Sequence, residues 1–481
     1  MSNGDRRPNL VFIVLDDLDQ LTMPYWEAMP KTKQRLADDG LVFTNAFVSS
    51  PECCPSRATL LTGDYPHNTG VYDSTAPDGG YETFARNGAE KDTLATRLQA
   101  EGYRTAFLGK YLNGYEKNPD AVPPGWDEWF ALGEGFSLGY GFEVNHNGVK
   151  ESFGAEPEDY LTDVLAERTQ VEADRTEDND DQPFLLTVWP SAPHAAIPAA
   201  PRHTDNRFAD AELPRRPNFD EADLSDKPTW LREGFRPMTP FDVRDLTVRF
   251  RRMMGSLYAV DDMIDGLVSK LDANGELDRT VFAFTSDNGY NFGAHRLPHK
   301  MAPYEESIRV PLFVAGPDIR VGTEDRLVLN NDLTPTLLDL AGLPVEDLDG
   351  SSLVPLMRGR DVLWRRDLLI QYHGTYHPIN NVDTLDDVRR LVPRRAMVPA
   401  TKDPPAFVPT FRALRTYRFL YVEWYGGAEH EHELYDLRID PYQLTNMLAT
   451  AAGRRSHASA ISALAARLEQ LGGCSGRTCR P

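Results

Sequence analysis

The chain has 481 residues, of which 41% are hydrophobic and 26% are charged. This length allows two to four domains, or one large α/β domain with a smaller companion, and the composition excludes a disordered chain and a small disulfide scaffold. With 73 acidic against 51 basic residues, the formal net charge of −22 opposes binding to nucleic acid and to anionic membrane surfaces, so we expect neither as a partner.

The start of the chain carries no evident targeting segment. Residues 1–9 lack the apolar stretch of a secretory signal, and the apolar run Leu10–Leu15 is far shorter than the ~20 residues that span a bilayer. The sequence as it stands favours the cytoplasm, and a secreted mature form that has lost its signal would also fit it.

Five short apolar runs, each ended by polar residues, glycine or proline, are typical of buried strands. They are Leu10–Leu15, Thr105–Leu108, Phe184–Trp189, Val281–Thr285 and Pro311–Ala315. Helical patterns lie between them at Lys31–Asp39, after Ser56, at Lys91–Glu101 and at Val243–Ala273. Strands alternating with helices predict an α/β fold with a large, mainly parallel sheet sandwiched by helices.

Long irregular stretches separate some of these elements. The stretches 113–154 and 190–240 are rich in glycine, proline and aromatic residues, which favours a binding site or a lid. The acidic run Glu172–Asp181 is predicted to be a solvated loop.

The pattern of apolar and polar residues changes after Leu356. Residues 415–446 alternate aromatic and polar side chains across a Gly-Gly pair, which predicts an antiparallel hairpin, and a helix is predicted at Ser456–Leu471. We therefore expect a catalytic domain at residues 1–360 and a smaller α+β domain at residues 361–481. Near the end, Cys474 and Cys479 could close a disulfide, chelate weakly or remain free thiols, and we favour the disulfide.

Two acidic pairs follow predicted strands. Asp16-Asp17 comes directly after Leu15, and Asp287-Asn288 follows Thr285-Ser286. Ligand sites in open α/β sheets lie outside the carboxyl ends of the strands, and carboxylate and amide oxygens suit Ca²⁺ or Mg²⁺. Either pair alone is better explained by strand-end capping or a turn; together they favour a metal site.

A cysteine pair opens a predicted helix at Cys53-Cys54-Pro55-Ser56-Arg57. A cysteine at a helix N-terminus beside an arginine would have a lowered pKa and could act as a nucleophile. A buried cysteine pair next to a capping serine explains the same residues equally well.

The order C-x-P-S-R-x-x-L-L-T-G, starting at Cys53, resembles the signature of the formylglycine-dependent sulfatases of the alkaline-phosphatase superfamily. Further motifs stand in the order of that family. They are Asp16-Asp17, Gly109-Lys110, Ala192-Pro193-His194, Ser286-Asp287-Asn288-Gly289 and Gly293-x-His295 running to Lys300. Stretches such as CCPSRATLLTGDYPHN, GKYLNGY and the terminal CSGRTCR are similar to the N-acetylglucosamine-6-sulfatase-like branch, and such similarity extends over nearly the whole chain.

The resemblance implies an enzyme and assigns its residues. Cys53 would be converted to formylglycine by a formylglycine-generating enzyme, with Arg57 steadying the product. A divalent cation, Ca²⁺ or else Mg²⁺, would be held by Asp16, Asp17, Cys53, Asp287 and Asn288. Lys110 and Lys300 would add positive charge, and His194 would protonate the leaving group, although a lone histidine in such a loop is more often structural.

The sequence departs from the family pattern at one position. Many sulfatases carry a histidine two residues after the lysine that matches Lys110, and it helps to release sulfate; here the position is Leu112, followed by Asn113. Asn113 could hydrogen-bond the hydrated aldehyde but cannot act as a base, so His295 is a candidate substitute.

The leading hypothesis is a sulfuric-ester hydrolase for a sulfated sugar, of the glucosamine-6-sulfate type, or for an aryl sulfate. A phosphate or phosphonate monoesterase and a non-catalytic carbohydrate-binding protein are the alternatives. The acidic surface favours a small or terminal substrate over a densely sulfated polymer. Aromatic and imidazole side chains of the long loops could line a sugar pocket, but loop packing explains them at least as well. These side chains are Trp126, Trp129, Tyr140, Trp189 and His203. Oligomeric state is not indicated.

Overall fold

The computed structural model describes residues 7–135, 138–175, 182–203, 207–374, 408–425 and 431–480, which form sixteen strands and thirteen α-helices besides shorter helical turns. The strands are β1 (Asn9–Leu15), β2 (Leu41–Phe43), β3 (Ala46–Phe47), β4 (Arg104–Gly109), β5 (Glu128–Leu132), β6 (Glu143–His146), β7 (Val149–Ser152), β8 (Phe184–Trp189), β9 (Thr280–Ser286), β10 (Leu312–Ala315), β11 (Gly322–Glu324), β12 (Val328–Leu329), β13 (Asp367–Tyr372), β14 (Phe411–Thr416), β15 (Phe419–Trp424) and β16 (His432–Asp436). The helices are α1 (Pro30–Thr32), α2 (Cys53–Thr62), α3 (Pro66–Thr69), α4 (Gly80–Arg86), α5 (Leu94–Ala100), α6 (Leu161–Asp174), α7 (Thr229–Gly234), α8 (Pro240–Ala273), α9 (Glu305–Ile308), α10 (Leu333–Leu340), α11 (Val354–Met357), α12 (Ala451–Ser456) and α13 (Ala458–Gly472).

The largest sheet has ten strands in the order β11-β2-β10-β9-β1-β8-β4-β5-β6-β7. Its centre, from β9 to β5, is parallel, whereas β10, β6 and β7 run antiparallel to their neighbours. The α/β prediction is confirmed, and the sheet is mixed. The chain between β9 and β10 contains only the four-residue α9 and no long crossover helix, which fits an antiparallel pair.

Strand β1 shows that both faces of the sheet are covered. Val11 and Ile13 pack into one apolar cluster with α6 and α8, while Phe12 and Val14 pack into a second cluster with α2 and α10. All seven residues of β1 are buried, so the strand is a continuous apolar run without alternation.

Helix α8 begins at Pro240, slightly before its predicted start, because Thr239 and Asp242 form a capping box and proline occupies the first turn. The residues of its predicted apolar stripe all lie in the first apolar cluster, and the two methionines beside them are core residues, as predicted. The stripe consists of Leu246, Phe250, Met253, Leu257, Val260, Ile264, Leu267 and Leu271.

The C-terminal part forms a four-stranded antiparallel sheet in the order β13-β14-β15-β16, with α13 against it. The predicted hairpin is β15 and β16, in which Phe419 pairs with Asp436; its Gly-Gly turn lies outside the described residues. The predicted terminal helix is α13, preceded by the short α12. This sheet shares an apolar cluster with residues such as Phe47 and Tyr304 of the larger part. The boundary between residues 360 and 361 stays a prediction.

Two further expectations have clear outcomes. Cys474 and Cys479 form the favoured disulfide. Glu172 was expected in a solvated loop, and this is wrong: it lies at the end of α6, is 1% exposed, and pairs with Arg104, Arg168 and Arg175. Residues 176–181 of that run lie outside the described ranges.

Among the described helices, none combines the length and apolar character that crossing a bilayer requires.

The packing of α8 on the sheet predicts a large effect of truncation there. Leu257→Ala removes a fully buried side chain, and we expect it to lower the free energy of unfolding by about 2–5 kcal/mol in chemical denaturation. Val248→Ala, on the exposed side of the same helix, should change it by no more than about 0.5 kcal/mol. Equal effects of the two variants would contradict this packing.

Candidate active site at the carboxyl edge of the sheet

The two predicted acidic pairs lie side by side. Strands β1 and β9 are parallel neighbours with Leu15 opposite Ser286, so the residues after each strand meet at one edge of the sheet. The backbone N–H of Asp17 donates to Asp287 Oδ1 at 3.1 Å, and Asn288 Nδ2 donates to Asp17 Oδ1 at 2.6 Å. Asp17 has a left-handed φ of 66°, which turns the chain sharply after the strand.

Helix α2 brings the cysteine motif to this edge. All of its residues are buried, and Asn330 Nδ2 donates to Ser56 Oγ at 2.9 Å, which fixes its first turn. Cys53 Sγ lies 3.6 Å from Asp16 Oδ1. Arg57 Nε donates to Asp287 Oδ2 at 2.7 Å, and Nη1 donates to the carbonyl of Lys110 at 2.7 Å.

Two lysines complete the buried cluster. Lys110, directly after β4, donates from Nζ to Asp16 Oδ2 at 2.5 Å. Lys300 Nζ lies 2.9 Å from Cys53 Sγ and also donates to Asp17 Oδ1. Burial alone would lower the pKa of both ammonium groups, but the neighbouring carboxylates raise it above its ordinary value. Both lysines are therefore charged.

The carboxyl groups respond to their surroundings in opposite directions. Burial alone would raise the pKa of Asp16, but Lys110 and then His194 hold it well below its usual range. Burial raises the pKa of Asp17, and Lys300 offsets this only in part. Asp16 is therefore the firmly ionised member of the pair.

The structure supports the buried-pair interpretation over the lowered pKa that was the alternative for Cys53. Burial raises the pKa of this thiol well above its ordinary value, and the charges of Lys110 and Lys300 do not compensate. Burial likewise raises the pKa of Cys54 to about 12. As thiols, both cysteines are inert, because the thiolate is the nucleophilic form.

The remaining predicted residues occupy different surroundings. His194 follows β8 in a buried loop, and its backbone N–H donates to the carbonyl of Ser191 at 2.9 Å. Asn113 is half-buried, and its Oδ1 has no hydrogen-bond partner among the described residues. His295 is fully buried, but its hydrogen bonds go to Asn218 and Glu221 rather than to the cysteine cluster.

The cluster has the composition of a cation site. One ligand atom each from Asp16, Asp17, Cys53 and Asp287 lies within 4.8 Å of the others. Asp17 Oδ2 and the adjacent Asn288 Oδ1 are buried without a hydrogen-bond partner among the described residues, and such oxygens are costly unless something binds them. Oxygen donors of this kind fit a hard divalent cation.

Most of the aromatic residues that could line a sugar pocket pack against other aromatic side chains instead. Trp129 and Trp189 are fully buried and lie against Phe107. Trp126 also packs on Phe107, and Tyr140 contacts Tyr160. His203 lies against Tyr258 and Asp262.

Asn330 holds the first turn of α2, and Asn218 and Glu221 hold His295, yet nothing in the sequence indicated these three residues. They lie in connecting segments without a motif, and they approach the site only through contacts made far along the chain.

Comparisons with known proteins agree with this geometry. A model of the Sulfatase family matches residues 8–343. The N-acetylglucosamine-6-sulfatase of Capra hircus is 36% identical over 494 residues, covering 100% of this chain and 86% of that protein. The solved structure of BT4656, in complex with its substrate D-glucosamine-2-N,6-O-disulfate, is similar in fold. The TM-score is 0.74 at 23% identity, and the match covers 96% of this chain and 97% of BT4656. The phosphonate monoester hydrolase of Agrobacterium radiobacter has a TM-score of 0.67 at 21% identity, covering 96% of both chains.

The mixed sheet holds an acidic cluster and a cysteine-bearing helix at its carboxyl edge, as the motifs of the sulfatase family predict. Because the family model spans most of the chain and the goat relative matches all of it, the chain belongs to the sulfatase family and is a sulfatase. The resemblance of the sequence motifs is thereby confirmed. Membership implies a formylglycine-modified cysteine and a divalent metal.

The buried acidic cluster predicts that a divalent cation stabilises the fold. We expect added Ca²⁺ to raise the Tm of the wild type, since at 100 times Kd a ligand contributes about 2.7 kcal/mol. Asp17→Asn removes one charged ligand and should abolish or strongly reduce this shift in calorimetry. Asp174→Asn, at an exposed carboxylate of α6, is the control and should retain the shift. A wild type whose Tm responds to neither Ca²⁺ nor Mg²⁺ would contradict the assignment.

Proposed function

We propose that this sulfatase removes the sulfate of a glucosamine-6-sulfate-type sugar, using Cys53 in its formylglycine form. The observation that carries the proposal is the position of Cys53, whose Sγ lies 3.6 Å from Asp16 and 2.9 Å from Lys300. The substrate class is supported by the goat relative, which is named as an N-acetylglucosamine-6-sulfatase. Maturation would require a formylglycine-generating enzyme.

We assign the cation site to Asp16, Asp17, Asp287, Asn288 and residue 53. Three carboxylates and an amide favour Ca²⁺ over Mg²⁺, because Mg²⁺ usually keeps several waters and takes few protein carboxylates. A bound cation would withdraw charge from a sulfuryl oxygen. The hydrated aldehyde of formylglycine would supply a hydroxyl nucleophile in place of the inert thiol.

The basic residues would bind and orient the sulfate group. Lys110 and Lys300 hold fixed positive charges beside residue 53, where charge on the sulfuryl oxygens must be stabilised. Arg57 would act by orientation, because its guanidinium joins Asp287 to the carbonyl of Lys110. Such pre-positioned charges need no rearrangement during the reaction.

His194 is the proposed donor of a proton to the departing sugar hydroxyl. It is buried, and it is close enough to Asp16 and Asp17 to act on the pKa of both carboxyl groups. Asn113, with an unpartnered Oδ1 among the described residues, would bind the hydrated aldehyde or the substrate without exchanging a proton.

Conversion of Cys53 is the first test. A peptide containing residue 53 should have the mass of formylglycine, and Cys53→Ala should abolish sulfate release. Cys54→Ser is the matched control, at the variable position of the motif, and should retain both conversion and activity. Fully active protein with an intact Cys53 thiol would refute the mechanism.

Substrate choice is the second test. We expect sulfate release from glucosamine-6-sulfate to exceed release from other monosaccharide sulfates, and nitrophenyl sulfate to be cleaved faster than nitrophenyl phosphonate. Because the net charge of −22 repels polyanions, a sulfated polymer should react more slowly than the monosaccharide, most clearly at low salt. Faster cleavage of the phosphonate would instead favour the activity named for the Agrobacterium neighbour.

A further inference from the structure

The segment 291–301, which carries Lys300 to Cys53, has an unusual backbone. Four residues besides glycine adopt left-handed φ angles within it, although such angles are uncommon for residues with a side chain. The angles are 47° at Phe292, 52° at His295, 65° at Arg296 and 80° at Met301. Backbone of this kind persists only where the surrounding structure imposes it, and it concentrates at functional sites.

The main partner of this segment is the chain at residues 218–222, part of the long stretch in which a site or lid was expected. The N–H of His295 donates to the carbonyl of Asn218 at 2.7 Å, and the N–H of Asp220 donates to the carbonyl of Gly293 at 2.9 Å. His295 Nδ1 lies 2.6 Å from Glu221 Oε2, and because a carboxylate only accepts, Nδ1 is the donor.

Arg296 adds a second set of contacts. Its guanidinium donates to the carbonyls of Glu221 at 2.9 Å, Ala222 at 2.9 Å and Phe235 at 3.2 Å. A guanidinium that binds three carbonyls fixes the position of its own backbone, since its donors have a rigid planar arrangement.

Glu221 is itself held in place. Its Oε1 lies 3.1 Å from Lys227 Nζ, which also donates to the carbonyl of Leu444 at 2.8 Å. Asp226, which precedes Lys227 in the chain, accepts a hydrogen bond from the backbone N–H of Asn446 at 2.5 Å. The support of the Lys300 segment therefore continues into the C-terminal part of the chain.

We propose that His295 and Glu221 are positioning residues that hold the segment so that Lys300 meets Cys53 and Asp17, and that His295 is not the base of the reaction. Both ring nitrogens of His295 face protein groups, Nδ1 facing Glu221 and Nε2 lying 3.4 Å from Asn218 Nδ2. A base needs a nitrogen within reach of the proton that it removes. The inference rests on the proposed function only in giving Lys300 a role in sulfate release.

Two substitutions of His295 separate positioning from base catalysis. His295→Asn keeps a donor for Glu221, and asparagine tolerates the left-handed angle, whereas His295→Ala loses both features. We expect His295→Ala to lower kcat about 10- to 100-fold, because small displacements of a catalytic group are costly, with little change in KM. His295→Asn should retain most of kcat and the wild-type pH profile.

Hydrogen–deuterium exchange supplies a readout that does not depend on activity. Amides of residues 291–301 should exchange faster in His295→Ala than in the wild type or His295→Asn. Glu221→Gln should show the same pattern more weakly, and it serves as the test if His295→Ala fails to fold. His146→Ala, which breaks a histidine–glutamate pair at β6 with a 2.7 Å contact to Glu151, is the control and should alter neither readout.

Two results would overturn the inference. One is a loss of about 10²- to 10⁴-fold in both His295 variants together with a missing limb of the pH profile, as expected for a base. The other is wild-type kcat and exchange in both His295→Ala and Glu221→Gln. A wild type that releases sulfate from no ester would refute the proposed function, while the exchange measurements would still decide whether His295 holds the segment.

Discussion

The fully buried guanidinium of Arg57 joins the two halves of the site, which are far apart in the sequence. It lies between Asp287, 2.7 Å from Nε, and Asp16, 3.7 Å from Nη2. Removing one of these three buried side chains would leave an uncompensated charge, which would lower the free energy of unfolding by about 3–5 kcal/mol. The position of α2, the ends of β1 and β9, and the turn after β4 are all constrained by this one side chain.

The same cluster explains how a strongly acidic protein can receive an anionic substrate. Its three carboxylates, at Asp16, Asp17 and Asp287, are balanced by Arg57, Lys110 and Lys300, all of them buried. A divalent cation together with a singly charged sulfate ester would then leave one net positive charge. That excess is suited to the negative charge that an attacking oxygen brings to the transition state. The surface charge governs which molecules approach, and the cluster governs what happens to them.

The buried strands and the acidic pairs that follow them were predictable because each depends on a short, local stretch of sequence. Buried strands are continuous apolar runs, so the end of β1 was predicted at Leu15 and the acidic pairs could be placed at one edge. The sequence left Cys53 open between a nucleophile and a buried thiol because a motif does not reveal burial, which here outweighs the charges of both lysines. Glu221 was missed for a related reason. Its contact with His295 spans 74 residues of sequence, and the composition of its stretch predicted a binding site or a lid without indicating that contact.

The chemistry of residue 53 connects these points. In its thiol form the side chain offers sulfur to a cluster whose other ligands are hard oxygens, and sulfur is a poor ligand for Ca²⁺ or Mg²⁺. Its raised pKa also keeps it protonated, so it is neither a good ligand nor a nucleophile. The proposed conversion to formylglycine removes both defects at once, because the hydrated aldehyde completes an all-oxygen set and carries the attacking hydroxyl.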